Sequence, residues 1–179
     1  MKGKAYLPAL GAAVLGAVIL AVAVFAFHGL GETNAQQELQ AKLRAMLPGS
    51  TVFTRREGDG GLVQALYLGQ TGTVVQVSCP GYVYDISLLV AVDDEGRVAA
   101  LTVREAHETP GLGSGILFDH EFLAQFLQTD GRAEIGREIR PITGATVSCR
   151  AVSRCVSAAV SAVTGEDVPS QATPWGDAP

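Results

Sequence analysis

The chain has 179 residues, 47% of them hydrophobic, and a formal net charge of -5. That length suits one compact domain plus an anchor and is too short for two full domains and a linker. The acidic balance, with no basic stripe and no gathered acidic tail, excludes the electrostatic footprint of a nucleic-acid binder.

At the N-terminus, Lys2 and Lys4 precede Ala5 to Phe27, an uncharged run of roughly 23 residues, the length that crosses a bilayer as a helix. A secretory signal is the alternative, with Thr33-Asn34-Ala35 as a faint cleavage site, but its apolar region is usually shorter, about 7–15 residues. No Lys or Arg follows Lys4 until Lys42. The positive-inside rule therefore leaves residues 1–4 in the cytoplasm, residues 5–27 as a single transmembrane helix, and everything after Phe27 outside. Residues 28–50 form a helical connector, capped at Thr33 or Asn34, with Leu39, Leu43, Met46 and Leu47 at helical spacing and a stop at Pro48-Gly49.

From Thr51 the periodicity changes. Short β-rich runs cover Leu62 to Leu68, Thr73 to Ser78, Ile86 to Val92 and Val98 to Val103, and Asp93-Asp94-Glu95-Gly96 reads as a hairpin loop. The nearly continuous apolar run from Ile86 to Val92 predicts a strand covered on both faces. Phe118 to Leu127 returns to helical spacing, with Asp119 as cap and Phe122, Phe126 and Leu127 facing a core. A polar segment, Thr129 to Arg140, carries turn signals at Gly131 and Gly136. The last helix runs from about Val147 to Val163, with Val152, Val156, Ala159, Val160 and Val163 as its apolar stripe, and Gly165 ends it. The expected architecture is one α+β domain over residues 51–165, a largely antiparallel sheet with flanking helices, followed by a disordered tail over residues 166–179.

Cys79, Cys149 and Cys155 have no metal-ligand spacing. Cys149 and Cys155 stand six apart on the predicted helix and point in different directions, while Cys79 reaches either only through the fold. They read as three small, buried, unpaired hydrophobes. His28, His107 and His120 are dispersed and give no metal site. No Ser-His-Asp set, glycosidase acid pair or phosphate-transfer motif is present, so no catalytic side chain is assigned.

Two stretches carry chemistry. Pro141 to Arg150 reads Pro-Ile-Thr-Gly-Ala-Thr-Val-Ser-Cys-Arg, which sets the Thr146 hydroxyl between a glycine turn and a helix. The first N–H groups of a helix lack partners and lie at the positive end of its dipole, so a phosphate on or near Thr146 is held without a lysine. Glu108-Thr109-Pro110-Gly111-Leu112-Gly113 joins one rigid residue to two permissive ones, the composition of a loop that lets backbone approach a ligand. Taken alone, Thr143-Gly144-Ala145-Thr146 is also a plausible cap and turn before a helix.

Together the two motifs resemble the FMN-binding domain shared by the G subunit of Rnf-type electron transport complexes and the C subunit of Na+-translocating NADH:quinone reductases. The resemblance extends to the anchor, to a Gly81-Tyr82 turn running into a strand, and to the final helix. It implies an FMN joined covalently to Thr146 through its phosphate. It also implies a cofactor site made by Thr143, Gly144, Ala145, Val147 and Ser148 together with Glu108, Thr109, Pro110, Gly111, Leu112 and Gly113. The implied protein is a redox subunit of an ion-translocating oxidoreductase of the bacterial inner membrane, its C-terminal domain on the periplasmic side. Ferredoxin and NAD exchange electrons elsewhere in the assembly, the other subunits are its partners, and a flavin transferase matures it. The quinone reductase subunit is the nearest alternative; a flavin-bearing sensor and a non-redox extracytoplasmic scaffold are the others. Three positions depart from the family pattern: Arg140 stands where an acidic residue is frequent, Gly115 where a lysine is common, and His107 directly precedes Glu108.

Overall fold

The computed structural model describes residues 35–82, 84–106 and 119–168. The predicted span over residues 5–27, the Glu108 to Gly113 loop and the tail from residue 169 lie outside these residues. Among the described residues no helix is long and apolar enough to cross a membrane. By its contacts the chain divides into two compact units, Met1–Lys42 and Leu43–Pro179. Residues 35–46 are helical; within the second unit Leu43, Met46 and Leu47 are buried, as their spacing predicts, and Pro48-Gly49 turns the chain.

The second unit is built on a five-stranded antiparallel meander in the order β1-β2-β3-β4-β5: Thr54–Glu57, Val63–Leu68, Gly72–Pro80, Asp85–Asp93 and Val98–Ala106. Four of the five strands stand where the β-branched runs place them. β1 was not anticipated, because Thr-Arg-Arg-Glu is wholly exposed and carries no apolar alternation. Tight turns join the strands. Gly72, at φ +146°, lies where a Cβ would meet the Val92 carbonyl oxygen at 2.3 Å, so no other residue fits without moving β4. The Ser50 hydroxyl accepts from the Gln70 and Thr71 N–H groups at 2.9 and 3.1 Å and so fixes the β2–β3 turn. Asp93 Oδ1 accepts from the Glu95 and Arg97 N–H groups, closing the predicted Asp93 to Gly96 hairpin. At the start of β5, Val98 exchanges backbone hydrogen bonds with Gln128 and Thr129, so the beginning of that edge is occupied.

Two helices, α1 (His120–Ala124) and α2 (Thr146–Thr164), follow the sheet. α2 packs across β3 and β4, and α1 lies against β5. The ladder aligns Val75 with Val90, Val77 with Leu88 and Cys79 with Ile86, and these residues enter one core with Cys149, Val152, Cys155, Val156, Ala159 and Val160 of α2. A bulge between Val63 and Ala65 brings both Val63 and Leu66 to this side. Residues of the opposite face, Tyr67, Val74, Leu89 and Ala91, are also buried. β4 is thus covered on both faces, as its unbroken apolar run requires.

Asp119 caps α1 through Oδ1, which accepts from the Glu121 and Phe122 N–H groups. Phe122 and Phe126 meet edge to face at 5.4 Å in the core. Leu127, expected to join them, is 41% exposed. The reason is local: after Ala124 the backbone tightens into successive three-residue hydrogen-bonded turns, and that pitch carries Leu127 off the buried side. The polar segment before α2 buries Ile139 fully and Ile135 in part. Val168, placed in the tail by composition, is buried; its N–H donates to the Ser161 hydroxyl at 2.9 Å, so the packed chain continues past Gly165.

The serines of α2 are not a solvent face throughout. Ser148, Ser153 and Ser157 are buried. The Ser157 hydroxyl reaches the Gly131 carbonyl at 2.6 Å and the Ser153 carbonyl at 3.1 Å. Gly131 itself, at φ +78°, sits where a Cβ would meet Val160 at 3.0 Å. Ser157→Ala leaves the Gly131 oxygen buried without its donor and should lower stability by about 1–3 kcal/mol, with unchanged far-UV circular dichroism, as read by urea denaturation.

Candidate functional site

The approach to α2 is held on both sides. The Gln125 side chain brackets Arg140: its Oε1 accepts the Arg140 N–H at 2.8 Å and its Nε2 donates to the Arg140 carbonyl at 3.3 Å. The Arg140 side chain is exposed. Two residues on, the Ile142 N–H donates to Cys149 Sγ at 3.4 Å, which ties the loop to the first turn of the helix. The Ala145 N–H donates to the Ile142 carbonyl at 3.1 Å, closing a turn with Thr143 and Gly144 at its tip. Gly144 lies at φ +84°, the left-handed conformation this turn needs at its third position.

Ala145 is the N-cap of α2 and makes no side-chain cap hydrogen bond, so the motif forms the expected turn but neither threonine caps the helix. Thr146 is the first helical residue. Ala145 tucks into the core while Thr146 is exposed, a contrast imposed by the turn of the helix between adjacent residues. The N–H groups of Thr146, Val147 and Ser148 stand at the open end of a 19-residue helix. That helix has no acidic residue; its charged residues are Arg150 and Arg154. Arg150 follows Thr146 by one helical turn and is exposed on the same side.

Gly144, Ala145, Thr146, Val147 and Ser148 line a cavity of about 300 Å³. Five of the residues expected at a cofactor site therefore come together, and Thr143 belongs to the turn beside them. Glu108, Thr109, Pro110, Gly111, Leu112 and Gly113 are not described. Ser148 is 1% exposed, and among the described residues its hydroxyl makes no hydrogen bond. Among the described residues the cavity is also walled by Tyr82, which is 57% exposed. Tyr82 sits in the β3–β4 turn, closed by the Gly81 N–H donating to the Tyr84 carbonyl at 3.0 Å. It was not assigned to the site from sequence, although the Gly81-Tyr82 pair was noticed; nothing in local spacing places that turn beside a helix more than sixty residues later.

An unpartnered buried hydroxyl, open helix N–H groups, an exposed threonine and an adjacent aromatic ring form a set of donors and surfaces that fits a phosphate joined to a flat ring system. Comparison with known proteins leads to the same chemistry. Residues 81–161 match the family of the FMN-binding domain. The chain is similar to the G subunit of the proton-translocating ferredoxin:NAD(+) oxidoreductase complex of Clostridium ljungdahlii. The two are 29% identical over 168 residues, covering 84% of this chain and 85% of that protein.

Beneath the cavity, burial pushes the Cys149 thiol above its ordinary value of 9.0, outweighing the N–H groups of Ile142 and Cys149 that favour its ionised form. The folded protein therefore keeps this proton to higher pH than the unfolded chain does. The associated stability is intact below 9.0 and is lost as pH rises through the folded value. Urea midpoints compared at about pH 8 and pH 10 should fall in the wild type and fall less in Cys149→Ala.

Proposed function

We propose that Thr146 carries FMN through a phosphoester between its Oγ and the flavin phosphate, and that the chain is the electron-transfer subunit of an Rnf-type, ion-translocating oxidoreductase. The observation that carries this reading is the exposed Thr146 hydroxyl at the uncapped start of α2, beside a cavity. The domain family of residues 81–161 supports the cofactor, and the Clostridium ljungdahlii relative, part of a proton-translocating ferredoxin:NAD(+) oxidoreductase complex, supports the assembly.

In this reading each residue has a definite task. The first-turn N–H groups and the positive end of the helix dipole hold the phosphate. Arg150, one turn along, adds a positive charge on the same face, and no acidic residue of α2 opposes it. Ser148 supplies a hydroxyl donor that is already desolvated, so no water shell is stripped from it on binding. Gly144 lets the turn pass close to the ligand, where nothing within 4 Å fills the space of a side chain. Tyr82 walls the cavity with an aromatic face, and Glu108 to Gly113 complete the pocket. When bound, FMN supplies transfer of one or two electrons. A covalent link retains the cofactor where free FMN would be lost by dilution, since no dissociation constant then limits occupancy.

The remaining parts of the reading follow from the sequence. Residues 5–27 anchor the chain in the bacterial inner membrane, the domain faces the periplasm, the other subunits of the complex are its partners, and a flavin transferase attaches the FMN. The exposed turn at Thr143-Gly144 and the exposed Thr146 leave the acceptor accessible to that enzyme.

Thr146→Ala, coexpressed with a flavin transferase, should lose all covalent flavin while changing stability by less than about 0.5 kcal/mol. Intact mass and in-gel fluorescence of the denatured protein read the first, urea denaturation the second. A wild-type mass without the gain of FMN less one water would overturn the linkage.

Tyr82→Leu should retain covalent flavin but fluoresce more brightly when folded, because the quenching aromatic ring is gone, and the difference should vanish on denaturation. Equal brightness in the folded state would remove Tyr82 from the flavin site.

A further inference from the structure

α2 crosses the sheet over β3 and β4, and where it does so two of the three cysteines share one point of the core. Cys79 on β3 is the cross-strand partner of Ile86 on β4. Cys155 on α2 lies over that pair, its sulfur 3.9 Å from the Ile86 carbonyl oxygen. All three residues are completely buried. The Cys155 thiol is held well above the ordinary thiol range, first by burial and then by the neighbouring Cys79 thiol. Cys149 is turned elsewhere on the same helix and receives the Ile142 N–H. Two free, buried thiols thus meet the same β3–β4 pair, one within it and one against its carbonyl, and the third is engaged at the approach to the helix.

We infer that Cys79 and Cys155 join as a disulfide that staples β3 to α2, with Cys149 remaining a thiol. The inference rests on the reading that the domain lies outside the cytoplasm, where disulfides form and persist. The two thiols lose two protons and two electrons as the S–S bond forms. A protein disulfide of the thiol-oxidising class accepts them and leaves as a dithiol. Because the site is sealed in the finished fold, exchange takes place before α2 settles on the sheet.

The placement gives the bond a purpose. Tyr82 follows Cys79 by three residues, and Thr146 opens the helix that carries Cys155. A link between β3 and α2 fixes the distance between the two walls of the cavity at Tyr82 and Thr146 through covalent structure as well as packing. The loop it closes is long, and a long closed loop removes much conformational freedom from the unfolded chain.

The test is a count of thiols. The full chain in its native membranes is quenched with acid, denatured, and labelled with a polyethylene-glycol maleimide before and after reduction. One labelled thiol before reduction and three after is expected. Cys149→Ser should then show none before and two after, whereas Cys79→Ser should show two in both states. Three labelled thiols in membranes, persisting after equilibration with oxidised glutathione in mild urea, would overturn the pair; so would a Cys149→Ser chain that has no reducible bond even after the glutathione step. Three thiols in membranes that become one after the glutathione step, with the chain lighter by two hydrogens, would uphold the pair and sink the extracytoplasmic reading.

Discussion

The site depends on how α2 is rotated against the sheet. Ala145, Cys149, Val152, Val156 and Val160 are buried at intervals of three and four, and each helical residue turns about 100° from the last. With that stripe committed to β3 and β4, Thr146 has no choice of direction. It follows the first buried residue directly and is therefore carried out of the core, while its backbone N–H stays at the open helix end. The Thr146 hydroxyl is presented by packing rather than by a dedicated contact to its own side chain. A core substitution that rolled the helix would displace the site without touching a site residue.

The composition of the helix makes this packing close. Alanine, serine, cysteine and valine occupy all of its buried positions, and none projects far from the axis. Larger side chains come from the sheet, from Phe122 of α1 and from Phe126 in the turns that follow it. Buried serines are tolerated because two of them find carbonyls in the segment before the helix, at Gly131 and Ala133. That segment is polar in sequence yet laid across the core side of α2, and hydroxyls on the helix are what allow its carbonyls to be there. Ser148 breaks the pattern: among the described residues its hydroxyl makes no hydrogen bond, and it borders the open cavity.

Much of this was legible in the residues. β-branched runs bounded by turn residues located β2 to β5, and the unbroken apolar character of β4 announced burial on both faces. Asp119 and Gly165 marked the ends of helices by the chemistry of caps. The motif from Thr143 to Ser148 could be read as a turn leading into an anion-binding helix end. β1 could not be read, because its pairing comes from backbone alone and its side chains all face water. Leu127 misled because spacing assumes a constant helical pitch, which the chain abandons after Ala124. Tyr82 and the approach of Cys155 to the Cys79–Ile86 pair were out of reach for one reason: each joins distant segments, created by the docking of α2 on the sheet and absent from any local pattern.

The two borders of the sheet bear on how the domain meets other chains. β1 is four residues long, exposed throughout, and has charged side chains at Arg55, Arg56 and Glu57. At the other border the start of β5 already exchanges hydrogen bonds with Gln128 and Thr129. Short, charged or occupied borders resist the addition of a foreign strand. Growth of the sheet across molecules, the commonest route by which β domains stick to one another, is therefore discouraged at the one border and blocked where the other begins. Where the borders are closed in this way, recognition falls to loops and side chains, which can be selective, rather than to backbone, which cannot.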